Sequence, residues 1–218
     1  WSPPHRISVR SFFKGSGGLH VEHDRTEILC GGDHNAFAHD ITAMRHDFID
    51  LDRVGIYGHS GGGFMSTAAM LNYPDFFKVG VALTGPHDPS VQSAEWVERY
   101  AGVERVVGVD GNVRWEVAEV QSNLEIAGNL EGRLLLMYGS EDDVVPISHL
   151  HRMAAAFIEH NKRFDMFIMP GAGHGLSPWR YTYGRVWTYF AEHLIGDPRP
   201  GVEVFPEMGA AEATQPPG

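Results

Sequence analysis

The stretch that decides the fold is residues 53–71, RVGIYGHSGGGFMSTAAML. It starts with RVGIY, which is mostly apolar and fits a short buried strand, and it ends with FMSTAAML, which fits an apolar helix. Between them lies GHSGG (58–62), a match to the pattern G-x-S-x-G. The glycines of this pattern let a strand and a helix approach closely around a strained serine turn. The flanking strand and helix therefore favour Ser60 as a nucleophile.

Two other interpretations of this turn stay open at this point. A glycine-rich turn can join a strand to a helix without binding anything. A phosphate-binding loop is disfavoured, because no Lys follows the glycines. A serine hydroxyl is a poor nucleophile unless a base activates it and a carboxylate orients that base. The rest of the chain must therefore supply both groups.

Strands and helices alternate along the chain. The sequence predicts strands at residues 53–57, 78–84, 133–138 and 163–169, with a further candidate at 7–13, and helices at residues 36–49, 64–71, 94–100, 114–121, 147–160 and 181–194. Because the strands are nearly all apolar, they predict an α/β fold in which helices cover both faces of a parallel sheet.

Two loops carry candidate partners for Ser60. GSEDD (139–143) follows one predicted strand, and PGAGHG (170–175) follows the next. The carboxyl ends of parallel strands meet at one edge of a sheet, so an acid from the first loop and His174 are predicted to converge on Ser60. In an α/β-hydrolase the chain order is Ser, acid, His, as it is here. The pattern alone leaves all three acids of the first loop open.

Composition excludes several classes of function. The 218 residues carry 17 Lys and Arg against 28 Asp and Glu, a net charge of −11, which argues against a generic nucleic-acid or acidic-membrane binder. No apolar run approaches the ~18 residues of a membrane span. A single cysteine, Cys30, excludes an internal disulfide. No signal peptide is visible, and both a cytoplasmic and an exported location stay open.

The 13 histidines raise the question of a metal site. The pairs closest in sequence are His20 with His23, His34 with His39, and His149 with His151. None of these pairs forms an H-E-x-x-H motif or a Cys/His zinc pattern. We therefore expect neither a metal nor another cofactor.

Several segments together resemble the catalytic domain of the prolyl oligopeptidase family of serine peptidases, and within it the dipeptidyl peptidase IV-like branch. The segments are IDLDRVGIYGHSGGG (49–63), YPDFFKVGVALTGPHD (73–88), ERYAG (98–102), SNLEIAGNLEGRLLLMYGSEDDVVP (122–146) and GHG (173–175). The resemblance implies an α/β-hydrolase fold and a serine-type peptidase that cleaves after Pro or Ala near a peptide N-terminus. An esterase or other acyl hydrolase and an inactive fragment are the alternatives.

The resemblance also implies roles for individual residues. Ser60 is the nucleophile, Asp142 the orienting carboxylate and His174 the general base. The N–H of Gly61, which follows the nucleophile, is expected to donate to the oxyanion. Trp96 stands where the family places an aromatic wall of its proline-accepting pocket.

Further substrate contacts are expected from Tyr100, Val144 and Val145. Val144 stands where the dipeptidyl peptidase branch has an Asn that helps to hold the substrate backbone. The family also takes a second oxyanion donor from a tyrosine upstream of the nucleophile, and no matching motif precedes residue 30.

The expected domain organisation is a partial catalytic domain at residues 34–196. Residues 1–33 are unassigned, and residues 197–218, which hold 5 of the 13 prolines, are expected to form a mobile tail. The start of the chain leaves room for one or two strands before residue 53, so the leading strands of the sheet are expected to be missing. The nucleophile strand would then expose an edge, and we expect a poorly stable or self-pairing chain.

The resemblance implies a peptide substrate, and it also implies an N-terminal propeller domain, which the family carries and which is missing here. A second copy of the chain is the alternative partner. Neither a nucleic acid nor a membrane segment is expected.

Overall fold

This computed structural model describes residues 50–117 and 120–197, together with two strands nearer the N-terminus. The strands are β1 (Ser8–Ser11), β2 (Glu27–Cys30), β3 (Val54–His59), β4 (Val79–Leu83), β5 (Val103–Val107), β6 (Val113–Val117), β7 (Arg133–Gly139) and β8 (Asp165–Met169). The helices are α1 (Gly61–Asn72), α2 (Ala94–Ala101), α3 (Ser148–Glu159) and α4 (Trp179–Phe190), which continues as a π-helical turn at Ala191–Ile195. None of the helices in these ranges has the length and apolarity that crossing a membrane requires.

Six strands form one sheet in the order β1-β2-β3-β4-β7-β8, and every neighbouring pair is parallel. Side chains alternate between the two faces of each strand. On β7, Leu134 and Leu136 therefore pack with Phe157 of α3, whereas Leu135 packs on the opposite face with Phe190 of α4. The prediction of a parallel sheet with helices on both faces is confirmed.

The four strands predicted from residue 53 onward are present, with small shifts at their ends. β3 runs two residues beyond the predicted end at Tyr57, because Gly58 and His59 stay paired with Ala82 and Leu83 of β4. This extension carries the strand to the residue next to Ser60. The last predicted helix, residues 181–194, divides into α4 and the π-helical turn.

The helix predicted at residues 114–121 is wrong. Residues Val113–Val117 instead form β6, which pairs with β5 as an antiparallel hairpin in a sheet of its own. The turn closes where Gly108 N–H donates to the Asn112 carbonyl at 2.9 Å and Gly111 takes a φ of 77°. The apolar residues of VRWEV recur every second position, a strand period, and their partner strand lies ten residues upstream.

The expectation that β3 exposes an edge is also wrong. β2 pairs with β3 from Glu27↔Val54 to Cys30↔Tyr57, and β1 pairs in turn with β2. Two strands of the described residues thus precede the nucleophile strand, and the candidate at residues 7–13 is present as β1. The predicted helix at 36–49 and the tail from residue 198 onward lie outside the described residues.

Candidate active site

Ser60 occupies a strained turn between β3 and α1. Its φ of 58° and ψ of −122° lie in a region that non-glycine residues rarely adopt and that costs about 1–3 kcal/mol. The Ser60 N–H donates to the Leu83 carbonyl at 2.8 Å, and the Ser60 carbonyl accepts from Gly63 N–H at 2.8 Å. A Cβ on Gly58 would collide with the backbone of Gly62, so the motif's first glycine is required by the close approach of strand and helix. This is the geometry that the G-x-S-x-G pattern predicts.

Asp142 and His174 form a hydrogen-bonded pair. His174 Nδ1 lies 2.9 Å from Asp142 Oδ2 and 3.1 Å from Oδ1. Asp142 Oδ1 also accepts from the N–H groups of Val144 at 3.0 Å and Val145 at 2.8 Å. A carboxylate only accepts, so the proton of the His174 ring is assigned to Nδ1, which leaves Nε2 as a free base. The Asp142 side chain is fully buried, whereas 20% of the His174 side chain is exposed.

The loops that carry this pair are joined to each other. Gly171 N–H donates to Ser140 Oγ at 2.8 Å, and Glu141 N–H donates to the Ala172 carbonyl at 3.0 Å. Because the loop after β7 is bonded to the loop after β8, Asp142 and His174 are held in register.

Trp96 and Gly61 are neighbours at the start of α1. Gly61 is the first residue of that helix, where backbone N–H groups lack partners within the helix and the helix dipole favours negative charge. Trp96 Cζ2 lies 3.9 Å from the point where a Cβ on Gly61 would stand. Trp96 is placed by α2, whose start is capped by Ser93 Oγ, an acceptor for the Trp96 N–H at 3.4 Å. An aromatic wall therefore stands beside the predicted oxyanion donor.

The other residues that were predicted to contact substrate differ in their exposure. Val144 is 51% exposed and available to a ligand. The Val145 side chain is fully buried in the core between the sheet and α3, so the expectation that it contacts substrate is corrected. The side chain of Tyr100 lies outside the described part of the structure, as does the segment in which a second oxyanion donor was sought, apart from β1 and β2.

Sequence reasoning missed a buried polar cluster near α3. Asp88 accepts from Ser90 N–H at 3.0 Å and forms an ion pair with Arg152. Burial by itself would raise the pKa of Asp88, but the hydrogen bonds from Ser90 and Arg152 outweigh it and lower the pKa. His149 Nδ1 accepts from Asp88 N–H at 3.3 Å, and burial lowers the pKa of His149. Only the spacing of these residues was visible in sequence, and it matches no motif.

His59 was also missed. It fills the unspecified position just before Ser60 in the G-x-S-x-G pattern, so the pattern makes no prediction for it. Its ring centroid lies 4.8 Å from that of His174. Among the described residues, no group of three or more His, Cys, Asp or Glu side chains could hold a metal ion.

The profile of the prolyl oligopeptidase family matches residues 35–196, which include Ser60, Asp142 and His174. The chain belongs to the prolyl oligopeptidase family. Its fold is that of an α/β-hydrolase, and its family is one of serine peptidases.

Relatives within the prolyl oligopeptidase family include dipeptidyl peptidases. Dipeptidyl peptidase 8 of Homo sapiens is 32% identical over 135 residues, which is 62% of this chain and 14% of the relative. A candidate dipeptidyl aminopeptidase IV from Bacteroides ovatus is similar in structure, with a TM-score of 0.63 and 26% identity over 73% of this chain and 22% of that one. The Porphyromonas gingivalis dipeptidyl peptidase 4 shares the fold, with a TM-score of 0.62 and 24% identity over the same shares. The chain spans less than a quarter of the length of each.

Proposed function

We propose that this chain is a serine peptidase domain of the dipeptidyl-peptidase type, which cleaves short peptides after Pro or Ala near the N-terminus. The observation that carries the proposal is the Asp142–His174 pair, 2.9 Å between Oδ2 and Nδ1, together with the 2.7 Å contact from the His174 carbonyl to His59, the residue before Ser60. A buried carboxylate that fixes the Nδ1 tautomer leaves Nε2 ready to accept a proton. That is the role that a serine nucleophile requires of its base.

The proposed mechanism follows from these groups. His174 Nε2 takes the proton of Ser60 Oγ as the oxygen attacks the scissile carbonyl, and a tetrahedral intermediate forms. The imidazolium then gives the proton to the leaving amine, and the C–N bond breaks. Water, activated by the same imidazole, hydrolyses the acyl-enzyme and releases the peptide acid. Asp142 stabilises the imidazolium throughout.

The N–H of Gly61, at the start of α1, is the proposed hydrogen-bond donor to the developing oxyanion. A donor fixed by a helix needs no reorganisation when charge develops, and losing one such donor typically costs about 10²–10³ in rate. The second donor is not assigned to any described residue.

The substrate preference is the finer part of the proposal. It is supported by Trp96, whose ring lies beside Gly61, and by the sequence similarity of the chain to dipeptidyl peptidases. A flat aromatic wall is suited to the ring of a proline side chain, because both surfaces are apolar and rigid. Val144, in place of the branch's Asn, offers no side-chain hydrogen bond to a substrate backbone.

The first test treats the purified chain with a fluorophosphonate probe and locates the adduct by mass spectrometry. We expect labelling at Ser60 alone, and none in the Ser60→Ala variant, because Ser60 is the serine to which the proposal assigns His174 as base. Ser66→Ala is a matched control that removes a buried serine of α1, the helix that follows Ser60, and it should label like wild type. A folded wild-type chain that is not labelled would contradict hydrolase activity.

A second test separates peptidase from esterase activity. Xaa-Pro and Xaa-Ala amides are compared with short-chain esters on the same preparation, because a triad alone does not fix the acyl group. We expect turnover of the amides, and weaker turnover after Trp96→Ala. Turnover of esters only would favour the acyl-hydrolase alternative.

A further inference from the structure

His59 joins the nucleophile strand to the main chain of His174. It is the last residue of β3, directly before Ser60, and its Nε2 lies 2.7 Å from the carbonyl oxygen of His174. A carbonyl oxygen can only accept, so the hydrogen stands on Nε2 of His59 and the ring donates. The distance is at the short end of the N–H···O range, which indicates a well-formed bond.

The His59 ring contacts two other aromatic rings. Its centroid lies 4.8 Å from that of His174 and 5.8 Å from that of Trp179, which meets it edge-on. Trp179 is itself stacked on Tyr183 at 5.6 Å. Burial lowers the pKa of His59 by more than its bond to the His174 carbonyl raises it, so the ring is neutral at neutral pH. The neutral ring can donate this bond without carrying charge.

The loop around His174 has other anchors, but they act on other residues. Gly171 is held by Ser140 Oγ at 2.8 Å, and the Leu176 carbonyl accepts from Thr182 Oγ1 at 2.6 Å. These bonds fix the loop three residues before and two residues after His174. Asp142 holds Nδ1 of the His174 ring, and His59 holds its peptide. The ring and the backbone of His174 are therefore held by two separate elements.

We propose that His59 is a positioning residue, which holds the His174 peptide so that the imidazole Nε2 is directed toward Ser60. The inference rests on the proposed function, because it assigns His174 the task of a base. The residue that holds the base is joined by one peptide bond to the nucleophile, so the base and the nucleophile are held in mutual register. Displacement of a catalytic group by about 1 Å can cost ~100-fold in rate.

Two variants separate the hydrogen bond from the ring packing. His59→Phe keeps an aromatic ring beside those of His174 and Trp179 and removes the donor. His59→Gln removes the ring and keeps an amide N–H that can donate. His59→Leu replaces the Phe variant if that protein does not fold, as judged by its melting temperature and circular dichroism.

The first readout does not need turnover. We expect the proton between His174 Nδ1 and Asp142 to give a strongly downfield NMR signal, whose exchange rate with water reports how well the ring is held. We expect exchange to become about tenfold faster in His59→Phe and to stay within about twofold of wild type in His59→Gln. An unchanged rate in His59→Phe, or no such signal in wild type, would overturn the positioning role.

The second readout is the rate of fluorophosphonate labelling at Ser60. In His59→Phe we expect the maximal rate to fall about 10- to 100-fold, the half-saturating probe concentration to stay within about twofold, and His59→Gln to recover most of the rate. A fully active His59→Phe, or a His59→Gln as slow as it, contradicts the proposal. If wild type shows the downfield proton but is not labelled, the proposed hydrolase function fails, and proton exchange alone decides the role of His59.

Discussion

Asp142 differs from its two acidic neighbours in what surrounds its carboxylate. It is buried and accepts two backbone N–H groups as well as the His174 ring, whereas Glu141 and Asp143 are exposed. A buried carboxylate is retained only where hydrogen bonds replace its lost water. Those bonds also fix its direction, so Asp142 alone of the three acids is preorganised to orient a histidine.

Asp142→Asn is expected to lower the rate of Ser60 acylation by about 10³–10⁴, because an amide favours the wrong tautomer of the histidine. The matched control is Asp143→Asn, one residue away and exposed, which should stay within about twofold of wild type, as exposed substitutions usually do. Stopped-flow acylation by an activated ester measures both. A large loss in the Asp143 variant with none in the Asp142 variant would reverse the assignment.

His87 predicts a pH dependence of stability. Burial, and secondarily the charge of His149, lowers the pKa of His87 from its ordinary value near 6.5 to about 3. Between those two values the unfolded chain binds a proton that the folded chain does not, so the free energy of unfolding decreases as pH falls below 6.5. One such group contributes about 1 kcal/mol per pH unit.

His87→Gln is therefore expected to flatten the loss of stability between pH 6.5 and 4.5, even if it is less stable at pH 7. Urea unfolding at several pH values measures this slope. His151→Gln, which removes an exposed imidazole of α3, serves as the control and should keep the wild-type slope. Parallel slopes for wild type and His87→Gln would show that His87 does not titrate as its burial requires.

At the scale of elements, the β5–β6 hairpin differs from the main sheet. Its register places Val103, Val107, Val113, Trp115 and Val117 on one face, and all five side chains are exposed. A two-stranded sheet is only marginally stable alone. The hairpin therefore contributes little to the core, and the domain's stability resides in the six-stranded sheet and its helices.

A pair of aromatic substitutions tests this difference. Trp115 is 67% exposed, so Trp115→Ser should change the free energy of unfolding by no more than about 0.5 kcal/mol. Phe157 is fully buried on α3, so Phe157→Ala should lower the free energy of unfolding by about 3–5 kcal/mol. Chemical denaturation measures both. A comparable loss in the two variants would mean that the hairpin is packed against another surface in solution.

At the scale of the whole molecule, two cores share one sheet. The core beneath α1 and α3 and the core beneath α4 are formed by opposite faces of β3, β4 and β7. Unfolding of these strands would expose the apolar side chains of both cores at once. Residues 50–197 are therefore expected to unfold as one cooperative unit, although they have two separate cores.

Phe157→Ala and Phe190→Ala, one in each core, should each shift a single transition to lower denaturant. Tryptophan fluorescence and far-ultraviolet circular dichroism should give coincident curves in wild type and in both variants. Two separate transitions, with each variant moving only one, would show that the cores are independent.

The sequence determined the alternation of strands and helices, the turn around Ser60 and the order Ser, acid, His. These are local properties: apolar periodicity and the close approach at Gly58 are set by residues adjacent in the chain. The helix predicted at residues 114–121 is wrong although Val113, Trp115 and Val117 alternate with a strand period, because so short a pattern does not fix a strand until β5 pairs with it.

The residue pattern left three acids open and the family resemblance pointed to Asp142, whereas the tertiary structure shows that Asp142 contacts His174. Only the tertiary structure decided which strand covers the edge of β3 and what His59 touches. Glu141, Asp142 and Asp143 are adjacent acids that no sequence pattern distinguishes. They differ in the direction in which the loop after β7 points each side chain, which buries Asp142 and exposes the other two. The contact from His59 to the His174 carbonyl spans 115 positions in the chain. Such contacts arise when packed strands bring distant loops together, and no local pattern records them.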